Sequence, residues 1–460
     1  MSDMKPAERL RLKTILAYSL PALAIGLSVG PVSAILPSLY AKHAQVSLAA
    51  IGTLFAIARI FDAITDPLIG YWSDKTRTPI GARKPWVLVG GMIVTLAVFF
   101  LFQIPPEAGI AYFGFWALLY YLGYTMFFIP HMAWGSELTT DYVARARVFT
   151  YRSFFDSTGG LLYTLIPMGL LYFGVTQSTE FSPEVFQWMA YAVVLMLPLC
   201  IIAAVVWAPK GEVVSQKSDN FLGLFKSASQ NKLLMRFLAA YVVGGINSGL
   251  IGALFFPFFD AYLSVGAQLP TILLVIYICQ IVALPFWQKV IERIGKHRTW
   301  AVCWMVQPLA LVPLLFFEQG TIPVVAVYVI MGLFGFLGTA SAIAPNALLG
   351  DIVDYELLRT KVDRAGNYYA FLMLIAKISS ATGGIAFIIL GAVFGFELSQ
   401  GAANSDFAMM GLALMFCVIP GLIQFLALPL IWNFPLNRRR HEIIRRRLEQ
   451  RNMLHHEAGA

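Results

Sequence analysis

The feature that most constrains this chain is an apolar stretch of about twenty residues that keeps returning between Thr14 and Trp432. A helix rising 1.5 Å per residue needs about 20 residues to cross roughly 30 Å of hydrocarbon, and each stretch is that long. Composition points the same way. Of the 460 residues 58% are hydrophobic and 13% charged, against about 45–50% and 25% in a water-soluble domain. A lipid-facing barrel would alternate with period two, and no such alternation is present. Twelve spans can be counted, so the expectation is an all-α, multi-pass membrane protein with twelve transmembrane helices.

The loops carry the orientation. Lys5, Arg9, Arg11 and Lys13 precede the first span; Lys75, Arg77, Arg83 and Lys84 follow the second, and Arg145 and Arg147 the fourth. The stretch from Lys210 to Arg236, the loop from Lys289 to Arg298, the group Arg359, Lys361 and Arg364, and a tail from Arg438 to Arg451 continue the series. Nearly all of the 33 Lys and Arg therefore fall on one side, leaving Lys42 alone on the other. Basic loops stay cytoplasmic, which predicts cytoplasmic termini and residence in the cell's inner membrane. The net charge of +8 is thus a topology signal, and no nucleic-acid partner is expected. The first span runs on without a small-residue cleavage pattern, which argues against a removed signal peptide. Cys200, Cys279, Cys303 and Cys417 all lie inside apolar spans, as core residues rather than disulfide or metal ligands.

The polar stretch 209–231 divides the spans six and six. The expected organisation is 1–208 as an N-terminal half holding a cation site, 232–436 as a C-terminal half and 437–460 as a basic cytoplasmic tail lying on anionic lipid. Internal repetition supports the division. Gly81-Ala82-Arg83-Lys84-Pro85-Trp86 resembles Gly295-Lys296-His297-Arg298-Thr299-Trp300, and Pro130, Gly135 and Tyr142 find counterparts in Pro345, Gly350 and Tyr355 at almost the same interval. Parallel six-helix repeats of this kind are the internal symmetry of the major facilitator transporters.

Four segments resemble one branch of that superfamily, the glycoside-pentoside-hexuronide:cation symporters of the melibiose carrier group. They are Arg59-Ile60-Phe61-Asp62-Ala63-Ile64-Thr65-Asp66-Pro67, Gly70-Tyr71-Trp72-Ser73-Asp74-Lys75, Glu137-Leu138-Thr139-Thr140-Asp141-Tyr142 and Asp351-Ile352-Val353-Asp354-Tyr355. The resemblance implies a secondary active symporter working by alternating access on a sugar, a pentoside or a uronate.

An ionisable group at the bilayer centre costs roughly 2.5–3.5 kcal/mol, so the charges within spans are the candidate site. Asp62 and Asp66 lie one turn apart on one helix face, with Arg59 three residues before Asp62. Two close carboxylates in low dielectric repel unless a cation or proton sits between them. Thr65 and Thr125 add hydroxyl oxygens suited to a hard cation. The resemblance implies the same set: Asp62, Asp66 and Thr125 match the melibiose carrier's cation ligands, and Thr65 replaces its amide ligand. The alternative for Arg59 is a structural ion pair with one of the two carboxylates. Lys377 in span eleven is predicted to face the central cavity near the two Asp. Arg152 and Asp156 in span five either neutralise each other or touch substrate. His131, Asn247 and Asn367 read as helix glue more readily than as ligands.

Departures from the carrier pattern bear on the substrate. Ala22 stands where the sugar carriers place an acidic ligand, and Phe128 and Met132 replace an Asp and a Trp. Two polar partners for sugar hydroxyls are therefore missing, and an anionic sugar derivative, another organic anion or a lysophospholipid-like amphiphile becomes the alternative cargo. The sodium-coupled lysophospholipid symporters of animals, which combine the Asp pair and the Lys with an apolar cavity, are also related. Asp74, Arg83, Lys84, Glu137, Asp141, Arg145, Asp351, Asp354 and Arg364 are expected to form a cytoplasmic gate. The expected partners are a small-molecule substrate, Na⁺ or H⁺, and membrane lipid, for a monomer without cofactor or further metal. The scattered histidines argue against an enzyme.

Overall fold

The structure is a computed structural model describing residues 11–44, 46–139, 142–211, 230–317, 321–360, 365–436, 440, 442–444, 446–448 and 450. Asp141 and Arg364, the side chains of Arg145 and Asn367, and most of the linker and tail lie outside the described residues. All described regular structure is helical, as expected where a backbone must satisfy its own hydrogen bonds.

In chain order the helices are α1 (Leu12–His43), α2 (Leu48–Lys75), α3 (Lys84–Leu101), α4 (Ile110–Glu137), α5 (Tyr142–Tyr172) and α6 (Pro183–Trp207). There follow α7 (Lys232–Tyr262), α8 (Gly266–Ile294), α9 (Lys296–Phe316) and α10 (Val324–Thr360). The last are α11, made of Ala365–Ser380 and Thr382–Ala392, and α12 (Asp406–Trp432). Among the described residues eleven helices are long and apolar enough to cross a membrane. The exception is α5, 31 residues long, whose Arg147, Arg152 and Asp156 and small polar residues from Ser157 to Gly160 lower its hydropathy.

The chain divides into two units. Unit 1 comprises 1–216 with 259–274 and 387–408, and unit 2 comprises 217–258, 275–386 and 409–460. The short segments 259–274 and 387–408, assigned by sequence to the C-terminal half, are held in unit 1 by specific contacts. Lys42 Nζ lies 3.0 Å from Glu180 Oε1 and 2.9 Å from Asp260 Oδ1, and the Thr179 hydroxyl donates to the Ala267 carbonyl. The basic residue that sequence left isolated is thus bridged to two carboxylates.

The helix pairings repeat. In unit 1, α1 packs on α5 and α6, and α3 on α4 and α6; the corresponding pairings of α7 with α11 and α12, and of α9 with α10 and α12, recur six helices later. At α1 and α5 the approach requires glycine, because a Cβ on Gly159 would fall on the Leu23 carbonyl and one on Gly26 on the Asp156 carbonyl. Small residues of this kind let backbones close on each other where lipid offers no hydrophobic drive for association. The two repeated loops also share a backbone turn: Gly81 has φ 115° and Gly295 φ 89°, values that favour glycine.

The described tail is not a free lipid-facing helix. Ile444 and Leu448, four residues apart, are buried in the unit 2 core with Leu234, Phe237, Trp300 and Phe434, so its apolar stripe packs on protein.

Candidate cation and substrate site

Along α2 the residues Ile57, Ile60, Ile64 and Leu68 form an exposed apolar stripe at helical spacing. Asp62, only 4% exposed, falls on the opposite side, where α2 packs along α4. Its Oδ2 accepts from Arg59 Nη1 at 3.0 Å, and the same guanidinium lies 4.9 Å from the ring centre of Tyr121 on α4. The Arg59–Asp62 ion pair allowed by sequence is therefore formed, and Tyr121 fixes its position. Asp66 follows one turn later. The Thr65 hydroxyl donates to the Phe61 carbonyl at 3.0 Å, leaving its oxygen lone pairs able to accept or to ligate. Thr125 is buried on α4.

The feature that sequence reading missed is an aromatic ladder on α4. Tyr120, Tyr124 and Phe128 recur every fourth residue, with stacked ring centroids 6.3 Å and 5.3 Å apart. The spacing was present in the sequence as a signal. Tyr124 lies within electrostatic reach of Asp156, Arg152, Asp66 and Asp62. Below it the Arg152 guanidinium, 6% exposed, stands 5.1 Å from the ring centre of Phe128. Among the described residues no ion pair joins Arg152 to Asp156, and its Nε has no hydrogen-bond partner. A guanidinium so placed can stack on the ring while its outer N–H groups donate to a planar anion.

His131 has a structural role. Its Nε2 lies 2.9 Å from the Tyr18 carbonyl, the Tyr18 hydroxyl donates to the His131 carbonyl at 2.8 Å, and the rings stack at 4.3 Å. This clamps α1 to α4. Lys377 belongs to α11 in unit 2, where Asn247 is buried on α7.

Some of the expected gate residues pair within their own unit. In unit 1, Arg83 Nη2 reaches Asp74 Oδ1 at 2.6 Å and Glu137 Oε1 at 2.7 Å, and its Nη1 donates to the Ser73 hydroxyl at 2.8 Å. Burial works against the Arg83 charge, but Glu137 and Asp74 outweigh it and hold the guanidinium above its ordinary pKa. Among the described residues Lys84 pairs with no carboxylate; its Nζ donates to the carbonyls of Val205 and Ala208 at 2.7 and 2.6 Å, capping the end of α6. In unit 2, Lys296 Nζ lies 2.6 Å from Asp351 Oδ1, the counterpart of Arg83 with Glu137. Beside Asp354, the buried Glu356 accepts from Asn231 at 2.9 Å and pairs with Arg359 at 3.4 Å. Glu356 was not among the expected residues.

The comparisons agree with this architecture. The isoprimeverose transporter of Lactiplantibacillus pentosus is 27% identical over 86% of this chain and 82% of its own length. The sodium-dependent lysophosphatidylcholine symporter 1-A of Danio rerio is 22% identical over 88% of this chain and 82% of its own length. The crystal structure of the nucleoside transporter NupG superposes with a TM-score of 0.64 at 13% identity, covering 91% of this chain and 99% of that one, and shows a shared fold. Residues 17–438 match the MFS/sugar transport protein family over most of the chain. With that match, and eleven helices among the described residues suited to span a bilayer, the molecule is a multi-pass membrane transporter and not an enzyme. The chain belongs to the MFS/sugar transport protein family.

Proposed function

We propose that the protein is a secondary active symporter that moves an anionic sugar derivative, such as a uronate or acidic glycoside, together with Na⁺ or H⁺ by alternating access. The observation that carries the reading is the α2 face, where Asp62 and Asp66 stand one turn apart with Arg59 3.0 Å from Asp62. Carboxylates concentrated in this way in low dielectric take up a monovalent cation or a proton. Thr65 and Thr125 supply further oxygens, and Lys377 acts in substrate binding or charge coupling. The buried Arg152 supports an anionic cargo. In this reading twelve helices, α5 included, cross the membrane as two six-helix halves with cytoplasmic ends. The carrier acts as a monomer without a cofactor, and Asp74, Arg83, Glu137, Asp351 and Asp354 open and close its cytoplasmic mouth.

A second reading, an amphiphilic organic anion, draws on the Tyr120–Tyr124–Phe128 ladder, which offers an apolar wall beside Arg152, and on the lysophosphatidylcholine symporter among the relatives. Uptake into proteoliposomes tests the coupling. Asp62→Asn and Asp66→Asn should each abolish accumulation against a gradient while sparing substrate exchange. Unchanged uphill uptake in both variants would sink the assignment.

A further inference from the structure

We infer that unit 2 holds a discrete binding site for the phosphate of an anionic phospholipid, in the cavity between the α8–α9 turn and the end of α12. The cavity measures about 420 Å³ and is lined by Arg293, Arg298 and Arg440, by His297, and by Trp432 and Phe434 among others. Among the described residues no Asp or Glu lines it. Three guanidinium-bearing side chains around one hollow favour an anion, and the planar fork of arginine matches phosphate oxygens in pairs.

The backbone adds to the charge. Gly295, at φ 89°, turns the chain sharply between α8 and α9 and has no side chain to cap the helix that starts at Lys296. The first turn of that helix, including His297 and Arg298, forms one wall of the cavity. Uncapped N–H groups and the positive end of the helix dipole favour the same ligand as the arginines.

The cavity is held in shape. Arg236 donates from Nε to the Leu430 carbonyl and from Nη2 to the Pro429 carbonyl, both at 2.7 Å, and lies 6.0 Å from the Phe434 ring centre. Phe434, Leu436, Ile444 and Leu448 are buried in the unit 2 core. Arg440 Nη1 donates to the Pro435 carbonyl at 2.8 Å, which keeps its side chain beside the hollow. The described residues after α12 are therefore tied to unit 2, and Arg440 helps complete the site.

The source of the phosphate follows from what flanks the cavity. Ile294 and Trp432, 39% and 40% exposed, lie at the ends of two apolar helices. An acyl chain running along those helices continues from a phosphate seated among the arginines, whereas a soluble phosphate would leave this apolar rim bare. Basic pockets at the ends of spans are suited to acidic lipid headgroups in this way.

The test uses the full-length protein purified in a neutral detergent and stripped of lipid. Phosphatidylglycerol, cardiolipin and phosphatidylcholine are titrated in while bound lipid is counted by native mass spectrometry and thermal stability is followed. Wild type should retain the two anionic lipids and not phosphatidylcholine. Arg293→Gln with Arg298→Gln, both exposed and so compatible with folding, should weaken retention roughly fivefold for each guanidinium removed. Arg446→Gln with Arg447→Gln, both on the exposed side of the tail helix, removes the same two charges outside the cavity and should leave retention unchanged. Equal losses in the cavity and tail variants would overturn the site in favour of diffuse attraction. Stabilisation by inorganic phosphate matching that by phosphatidylglycerol would overturn its assignment to lipid.

Discussion

Arg152 of α5 stands over the ring of Phe128 of α4, 5.1 Å from its centre, although the carboxylate of Asp156 is only one helical turn away. An i,i+4 spacing of opposite charges commonly closes into an ion pair. Here the guanidinium stacks on the aromatic ladder instead, and both charges stay available to a ligand.

The first prediction follows from that geometry. A charge-assisted hydrogen bond contributes about 1.5–3 kcal/mol, so Arg152→Ala should weaken binding of an anionic substrate roughly ten- to a hundredfold. Arg152→Lys keeps the charge but loses the planar fork and the stacking, and should fall between. Isothermal titration with a uronate and with its uncharged parent sugar checks the assignment. If both affinities drop alike, Arg152 supports the fold and does not read charge.

A second prediction concerns the network around Arg83. Arg83 and Glu137 have side chains only 7% and 9% exposed, whereas Asp74 is 66% exposed. Breaking a buried pair leaves an uncompensated charge and costs about 3–5 kcal/mol, while an exposed partner contributes about 0–1 kcal/mol. Glu137→Gln should therefore lower the melting temperature in detergent clearly, and Asp74→Asn only slightly. In the double variant Arg83→Gln with Glu137→Gln the combined loss should be smaller than the sum of the single ones.

A third prediction uses two glycines of one helix. A Cβ at Gly159 would fall on the Leu23 carbonyl of α1, whereas nothing lies within 4 Å of a Cβ built at Gly169. Gly159→Val must push α1 and α5 apart, with an overpacking cost of about 1–3 kcal/mol, and should reduce both the yield and the stability of folded protein. Gly169→Val should behave as wild type. Equal behaviour of the two would mean that α1 and α5 do not need their close approach.

How much of this was legible in the sequence depends on whether a property is local. The Arg59–Asp62 pair follows from a three-residue spacing, and the glycine turns at Gly81 and Gly295 from a repeated motif, so both could be read before any coordinates. The ladder Tyr120–Tyr124–Phe128 was equally local but stood inside an apolar span, where aromatic residues look like ordinary packing. Lys84 could not be read, because its acceptors are carbonyls at the end of α6, more than a hundred residues away in the chain. Glu356 was hidden for the same reason: only folding brings Asn231 to it. The tail looked like a lipid-bound helix from its charges, yet Ile444 and Leu448 pack on the unit 2 core.

The last prediction separates two roles for Lys377. An ammonium within a span costs roughly 2.5–3.5 kcal/mol on insertion scales, so its presence in α11 needs a compensating negative charge at some stage of the cycle. If that charge is the substrate, Lys377→Ala should weaken anion binding at every Na⁺ concentration. If the charge is a carboxylate of the cation site, Lys377→Ala should change the Na⁺ or H⁺ dependence and leave substrate affinity at saturating cation where it was. Binding isotherms for Lys377→Ala at high and low Na⁺ distinguish the two cases. A substrate affinity reduced only at low Na⁺ identifies Lys377 as part of the coupling machinery, and one reduced at both identifies it as a substrate ligand.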